Sequence, residues 1–417
     1  MTSTPWLGVV ADDYTGATDL AGMIARQGLR VVQYLGVPDE VLAADVDCVV
    51  VALKNRSTPA AEAVAEAREA AEWLRELGVA QLYFKYCSTF DSTDAGNIGP
   101  VGDALADLVD ARAVVFCPAT PEHGRTTYLG HHFVHDTLLS ESPLRDHPLN
   151  PMRDPDLRRV LARQTSTPVT HLPLSVVQSG AAAAALDAHT ERAYVIADAA
   201  TDDDVRAIAR AVASAPLVTG GAALAAMLAE LHIAERADAA PASVEIPAGR
   251  AVVLAGSCSA ATRRQLDRLG AHQPRFQIDA YALDRGEDVV GAALAFVAEH
   301  ADALPIVAAS SDPETVARVQ SDLGLERSAR LVEDALGRIA RGVADAGIRR
   351  ILVAGGESSG AVVNGLGVRA LHIGREVAPG VPWTVSAGDE RIGLLLKSGN
   401  FGGDDVFTTA LEMADAS

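Results

Sequence analysis

Short apolar runs recur along this chain, each ending in a polar or glycine-bearing cluster and most leading into a stretch with helical spacing. The run Leu7–Ala11 is too short for a stable helix and apolar throughout, so it reads as a buried strand. It ends in Asp12 and Asp13. Thr15 and Gly16 then open a helix that carries Ala17, Leu20, Ala21, Met23 and Ile24 on its inner face. Val31–Leu35 and Cys48–Leu53 predict two further strands, the second running into Lys54-Asn55-Arg56-Ser57. Ala60–Leu77 has the apolar spacing of a helix. Gln81–Phe84 predicts a strand that leads into Lys85–Thr93, Ile98–Leu108 a helix, and Ala113–Cys117 a strand that ends in Pro118–Thr126. Thr170–Leu172 and Ala193–Ala197 read as strands, with a helix over Ser179–Arg192 between them. Another helix begins at Thr219–Ala223 and runs to Leu231. This alternation predicts parallel sheets with helices on both faces and ligands at the carboxyl ends of the strands.

Two segments interrupt the pattern. His131–Pro151 is polar, carries several His and Pro and lacks periodicity, which predicts an ordered loop over the site. Ile233–Gly249 is rich in Ala, Glu, Asp and Pro and marks the domain boundary. It gives an N-terminal domain over 1–235 and a C-terminal domain over 250–417. After it the pattern restarts with strands at Ala251–Ala255, Phe276–Asp279, Ile306–Ala309, Arg350–Ala354, Leu371–Ile373 and Ile392–Lys397. A helix opens at Gly256–Thr262, a long one covers Glu326–Ala346, and another follows Gly355–Gly360 through Val363. The fold class expected is α/β: two domains, each a mostly parallel sheet flanked by helices, with an interdomain cleft.

Composition narrows the function. A chain of 417 residues is too long for one ordinary core, which supports two domains. The formal charge, 35 minus 55, is −20. That argues against a nucleic-acid partner, which needs a basic stripe, but not against a small anion held by helix ends and a few cations. Cys48, Cys87, Cys117 and Cys258 form no C-x-x-C pair, so neither zinc spacing nor a disulfide framework is expected. With no signal-like amino terminus and no apolar run of membrane-spanning length, the expectation is a cytoplasmic protein with no membrane partner. Oligomeric state is not readable, and a homodimer is among the arrangements the sequence allows.

The chemistry-bearing residues divide between the two halves. Asp12, Asp13, Thr15, Arg56, Lys85, Ser88, Asp91, Ser92, His123 and Arg125 all fall at predicted strand ends or the helix that follows. Arg and Lys suit a carboxylate-bearing ligand, Arg through two parallel bonds. Asp suits sugar hydroxyls, and either Asp12 or Asp13 could accept a proton from an attacking hydroxyl. The blander readings are that Asp12 caps the helix with Asp13 solvated, and that Lys85 and Asp91 form a plain ion pair. His131, His132, His135 and His147 match no zinc spacing, and no protein metal site is expected. In the second half, Gly256-Ser257-Cys258-Ser259, Gly355-Gly356-Glu357-Ser358 and Ser398-Gly399-Asn400 each follow a strand. Together they suit a phosphate cradle beside an adenine slot. None is a P-loop or a G-x-G-x-x-G fingerprint. An acidic polyol in one half and an anion with a flat part in the other fit phosphoryl transfer to a hydroxyl. A non-catalytic sensor of a sugar acid and a nucleotide would use the same pockets.

At these residues the sequence resembles the four-carbon acid sugar kinase family over nearly its whole length. The marks are Ala-Asp-Asp-Tyr-Thr-Gly-Ala at 11–17, Lys-Asn-Arg-Ser at 54–57, Phe-Lys-Tyr-Cys-Ser-Thr-Phe-Asp-Ser-Thr at 84–93 and Gly-Asn-Ile-Gly-Pro at 96–100. In the second half they are Gly-Ser-Cys-Ser at 256–259, Gly-Gly-Glu-Ser at 355–358, Ala-Pro-Gly-Val-Pro-Trp at 378–383 and Lys-Ser-Gly-Asn-Phe-Gly at 397–402. The 84–93 run and His-Ile-Gly-Arg at 372–375 are most similar to the 3-oxo-tetronate branch; other branches act on threonate or erythronate. The resemblance implies an acid-sugar domain followed by an ATP domain, with Mg2+ accompanying the ATP. The transfer it implies is of the γ-phosphoryl group to the 4-hydroxyl of a 3-oxo-tetronate. It further implies that Ser257, Ser259, Gly355, Gly356, Glu357, Ser358 and Gly399, with Asn400 beside it, contact the nucleotide.

Overall fold

The run Leu7–Ala11 is strand β1, buried at every position. A computed structural model describes residues 4–43, 45–147, 150–235, 244–270, 273–310 and 313–416. Part of the predicted boundary segment, 236–243, lies outside the described residues. The chain forms two compact units, Met1–Ala242 and Ser243–Ser417.

In the first unit β2 (Val31–Leu35), β3 (Cys48–Ala52), β4 (Gln81–Lys85) and β5 (Ala113–Cys117) follow β1. After a small separate sheet of β6 (Arg125–Tyr128), β7 (His131–Val134) and β8 (Thr137–Leu138) come β9 (Val169–Leu172), β10 (Ala193–Ala197) and β11 (Leu217–Gly220). The main sheet has the order β2-β3-β1-β4-β11-β5-β10-β9 and every pairing is parallel. Such strands are covered on both faces, which is why they read as unbroken apolar runs. In register, Ala11 stands opposite both Ala52 and Lys85, so β1, β3 and β4 end level. The chain leaves β1 for β2 on one side and leaves β4 for β5 on the other. Their carboxyl ends therefore bound a topological switch point, where open α/β sheets hold ligands.

Several features differ from the sequence reading. Thr219 and Gly220 belong to β11, inserted between β4 and β5, and the helix starts only at Ala222. A Cβ at Gly220 would lie 2.4 Å from the Cys117 carbonyl oxygen, so the close strand approach requires glycine. Of the predicted helix Ser179–Arg192 only Ala182–Asp187 is helical, and a separate short helix, Leu174–Gln178, precedes it with Gly180 at φ 77° between them. Helix Asp202–Val212 was not predicted, although Thr201 and Asp204 form a capping box at its start. The ordered loop expected over His131–Pro151 holds regular structure, with antiparallel β7 and β8 in its first half and short 3-10 turns after them.

The second unit holds β12 (Ala251–Ala255), β13 (Arg275–Gln277), β14 (Ile306–Ala308), β15 (Arg350–Ala354), β16 (Ala370–Ala378), β17 (Val381–Ser386) and β18 (Gly393–Lys397). Their order is β13-β14-β12-β15-β18-β17-β16. The pairings are parallel as far as β18, and β17 runs antiparallel to both its neighbours. The predicted strand Leu371–Ile373 is part of the longer β16, which turns at Pro379-Gly380 into the unpredicted β17. Trp383 on β17 is fully buried and donates from Nε1 to Ala410 O at 2.9 Å, docking the helix Val406–Asp415 on the sheet. Cys48 and Cys117 are buried, Cys87 and Cys258 half-buried, and all four are free thiols. Among the described residues no helix is long and apolar enough to cross a membrane.

Candidate active site

Strand pleating sends consecutive residues to opposite sides, and the paired carboxylates take different roles. Asp12 is 4% exposed. Its two oxygens accept from Nε and Nη2 of Arg56, both at 2.8 Å. Its backbone carbonyl accepts from the amides of Asn55 and Arg56 at 3.1 and 3.2 Å, so the turn that carries Arg56 is tied to the end of β1. Asp13, not Asp12, caps the helix Tyr14–Arg26. Its Oδ1 accepts from Gly16 N at 3.0 Å and from Arg56 Nη2 at 2.6 Å. The hydrogen bonds to Asp13 thus fall on Oδ1, and none falls on Oδ2 among the described residues. Burial raises the Asp13 pKa above the usual carboxylate range; Arg56 opposes that and the adjacent Asp12 charge adds to it. Burial works against the Arg56 charge, but Asp12 more than compensates and the guanidinium stays protonated.

Lys85 ends β4 beside this group. It is buried, and its Nζ donates to Tyr86 O at 2.7 Å. A Cβ at Gly16 would lie 3.0 Å from Lys85 Nζ and 2.4 Å from Asp13 Oδ1, so glycine lets the ammonium reach the first turn of the helix. Lys85 is not the ion-pair partner of Asp91. Asp91 Oδ1 accepts from Thr89 Oγ1 at 2.6 Å, and the Cys87 thiol meets that same hydroxyl at 2.9 Å. Burial, with the Asp91 charge, raises the Cys87 thiol to about 11, while the charges of Arg56 and Lys85 pull it down. Asp91 therefore borders the cluster through Cys87.

No hydrogen bond joins the other candidate residues to Asp12, Asp13, Arg56 or Lys85 among the described residues. Thr15 lies exposed in the first helical turn. Ser92 is buried, with its hydroxyl accepting from Gln164 Nε2 at 2.8 Å, so it braces the loop. Arg125 Nη1 donates to His123 O, and its buried Nε has no hydrogen-bond partner among the described residues. Burial pulls the pKa of His132 down to about 4; the backbone of Ser88 opposes that shift and the charge of Arg125 adds to it. Among the described residues no group of three His, Cys, Asp or Glu is placed to hold a metal ion. Sequence reasoning missed Asn97, whose buried side chain donates to Asn55 O at 2.7 Å and fixes the Arg56 turn. Its place just before the helix Ile98–Leu108 was the available signal.

In the second unit the turns after β12, β15 and β18 are stitched together. Gly256 N and Ser257 N donate to Ala354 O at 3.1 and 3.0 Å, and Gly355 N donates to Lys397 O at 2.9 Å. Ser259 caps the helix Ala260–Arg268 and donates to Gly399 O at 2.7 Å. A cavity of about 700 Å³ opens against these turns. Ser257, Gly355, Gly356, Glu357, Ser358 and Gly399 line one part of it, and Ile278, Val316, Val319, Ala329 and Val332 supply apolar wall. Ser259 and Asn400 are not on its lining: the first holds the Gly399 turn and the second is exposed.

Beneath the turns lies a cation that sequence reasoning left without a role. Lys397 is fully buried, and its Nζ donates to Gly399 O at 3.1 Å and Thr262 Oγ1 at 3.3 Å. Burial lowers its pKa from 10.5 to about 8. Below pH 8 the folded chain carries the full penalty of a buried ammonium. As pH rises from there to the unfolded value, that penalty fades and this group's contribution to stability increases. Relative to Lys397→Met, the native chain is expected to gain up to about 3 kcal/mol between pH 8 and 10.5. Urea unfolding of both proteins across that window measures it; a constant difference would contradict it.

Two family models match the chain, one in each half. Residues 7–228 match the sugar-binding N-terminal domain and residues 252–407 the nucleotide-binding C-terminal domain. The chain is 49% identical to the 3-oxo-tetronate kinase of Burkholderia multivorans over 425 residues, covering 100% of this chain and 99% of that one. It is 51% identical to the enzyme of that name from Pseudomonas fluorescens over 416 residues, with 98% and 96% covered. Among solved structures, a Haemophilus influenzae protein superposes with a TM-score of 0.89 at 38% identity, covering 98% of this chain and 100% of that one. A Salmonella typhimurium protein gives 0.91 at 37% identity, with 98% and 99% covered. The fold is that of an α/β protein whose relatives are kinases, phosphotransferases that act on a sugar acid and take a nucleotide. The chain belongs to the four-carbon acid sugar kinase family.

Proposed function

We propose that the protein transfers the γ-phosphoryl group of ATP to the 4-hydroxyl of 3-oxo-tetronate. The observation that carries this reading is the Asp12–Asp13–Arg56–Lys85 cluster at the switch point of the first sheet. It joins fixed cations to a carboxylate with one oxygen to spare. Lys85 and the first turn of the helix Tyr14–Arg26 hold the substrate carboxylate, with Arg125 Nε as a further donor. Asp12 orients Arg56 and is not itself the base, because both its oxygens are engaged. Asp13 Oδ2 takes the proton of the 4-hydroxyl as that oxygen attacks the γ-phosphorus. The O4–P bond forms, the bond from phosphorus to the β,γ-bridging oxygen breaks, and ADP leaves with the electron pair. Asp13 then releases the proton to water.

The first unit is the acid-sugar domain in this reading and the second the ATP domain. The triphosphate lies against the Gly256 and Gly355 turns, on the backbone amides at the start of the helix Gly356–Gly365. Mg2+ usually takes one or two carboxylates and completes its shell with phosphate oxygens and water. Glu357 and Asp279 on the cavity wall offer carboxylates of that kind. The ion supplies neutralisation of phosphate charge when bound.

A coupled ADP-release assay tests the reading against 3-oxo-tetronate, threonate and erythronate. Turnover with 3-oxo-tetronate at least ~10-fold above the others is expected, since one mispaired polar group costs about 1–3 kcal/mol. No ADP release with any of the three would contradict it.

A further inference from the structure

We infer that the buried ammonium of Lys397 is the cation that balances the nucleotide's phosphates, acting from behind the wall of the second-unit cavity; this rests on the nucleotide reading of that cavity. Among the described residues the lining carries Asp279, Glu333 and Glu357 and neither Lys nor Arg. A polyphosphate placed there meets carboxylates and no positive side chain at the surface, which leaves charge to be balanced from underneath. Lys397 stands at that place. It ends β18, and its backbone and side chain each hold a turn that lines the cavity. Its carbonyl accepts from Gly355 N at 2.9 Å. Its Nζ donates to Gly399 O at 3.1 Å, and Ser259 Oγ and Thr262 Oγ1 donate to the same oxygen at 2.7 and 3.0 Å. The Gly399 carbonyl is therefore turned toward the ammonium. A Cβ at Gly399 would lie 2.5 Å from Ser257 Oγ, so the Gly399 turn rests on the Ser257 turn at the cavity wall. One C=O and one Cα–C bond link the contacted oxygen to Gly399 Cα, which puts the charge within about 6 Å of that atom.

The ammonium is itself unbalanced. Buried charges are normally paired, yet among the described residues no carboxylate lies within ion-pair distance of this one. Burial is the one influence on its pKa. No titratable or charged side chain contributes from β15, from the helix Ala260–Arg268 or from the helix Val406–Asp415, whose Phe407 ring centroid lies 5.9 Å from Nζ. With a pKa lowered only to about 8, Lys397 is mostly protonated at pH 7. Phosphates on the far side of the Gly399 turn give it the missing partner.

The test is calorimetry with ADP and, by its displacement of ADP, with adenosine, at constant Mg2+, in the native enzyme, Lys397→Met and Lys397→Gln. Attraction between unit charges over roughly 6–9 Å at an effective dielectric of about 20 corresponds to about 10- to 100-fold in affinity. At pH 7 both substitutions are expected to weaken ADP by that factor and adenosine by less than about threefold. Glutamine keeps N–H donors for the Gly399 carbonyl but carries no charge. Native-like ADP affinity in Lys397→Gln would therefore overturn the inference, as would equal losses for ADP and adenosine in both variants. The native enzyme tests it without any substitution. Between pH 7 and 9.5 the Kd for ADP is expected to rise at least ~5-fold as Lys397 loses its proton, with that for adenosine level. A Kd for ADP that stays flat over that range would overturn the inference and leave the nucleotide reading standing. Absence of binding by either ligand at pH 7 would remove both.

Discussion

Asp13→Asn is expected to lower turnover at least ~100-fold, within the range lost with a general base. The fold should survive, because asparagine caps helices about as well as aspartate. Its side-chain oxygen can still accept from Gly16 N and Arg56, as Asp13 Oδ1 does at 3.0 and 2.6 Å. What disappears is the basic oxygen that faces the acceptor. The native enzyme should also lose activity as pH falls through the raised Asp13 pKa, since only the carboxylate accepts a proton. That acidic limb should be absent from what activity Asp13→Asn retains. Steady-state kcat and kcat/KM against pH, with circular dichroism to confirm folding, provide the readout. Native-like turnover in the variant would remove Asp13 from the mechanism.

Gly355→Ala is expected to weaken ATP binding by about 100-fold while the acid substrate binds as before. Gly355 has φ 128° and ψ 134°, a conformation open to glycine and strained for every L side chain. A Cβ there would stand 2.7 Å from Ser358 Oγ and 3.2 Å from Ser257 N. The added methyl group therefore pushes apart the two turns that line the cavity. Strain of this kind costs about 1–3 kcal/mol and the contact a similar amount. Calorimetry with an ATP analogue and, separately, with 3-oxo-tetronate tells a local change from a global one. Equal losses for both ligands would mean general unfolding, and unchanged nucleotide affinity would place the phosphates elsewhere.

Much of the fold was legible because parallel strands covered on both faces carry a sequence signature of their own. Leu7–Ala11, Ala113–Cys117 and Arg350–Ala354 appear as apolar runs, and all are strands with those bounds. β11 was hidden because only Leu217 and Val218 are apolar before Thr219-Gly220; its pairing comes from β4 and β5 on either side. The β6–β7 hairpin was hidden for the opposite reason. It is polar and mostly half-exposed, so its register is set by cross-strand pairing that no periodicity announces. The same holds for β16, where Arg375 and Glu376 interrupt the apolar pattern.

At the sites, residue type was easier to read than role. Adjacent Asp12 and Asp13 were visible, but what separates them is a partner 44 residues away that grips both oxygens of one and a single oxygen of the other. Lys85 was visible as a cation, yet its approach to the helix depends on the missing side chain of Gly16. Lys397 closes a strand like any lysine in sequence, and only the packing of three turns above it shows that its charge is buried.

The most direct test of the account is phosphorus and proton NMR of the reaction product. With enzyme, ATP and 3-oxo-tetronate, ADP should appear together with an equal amount of a phosphate monoester coupled to the C4 methylene protons. A monoester coupled to the C2 proton, or ADP accompanied only by inorganic phosphate, would contradict it.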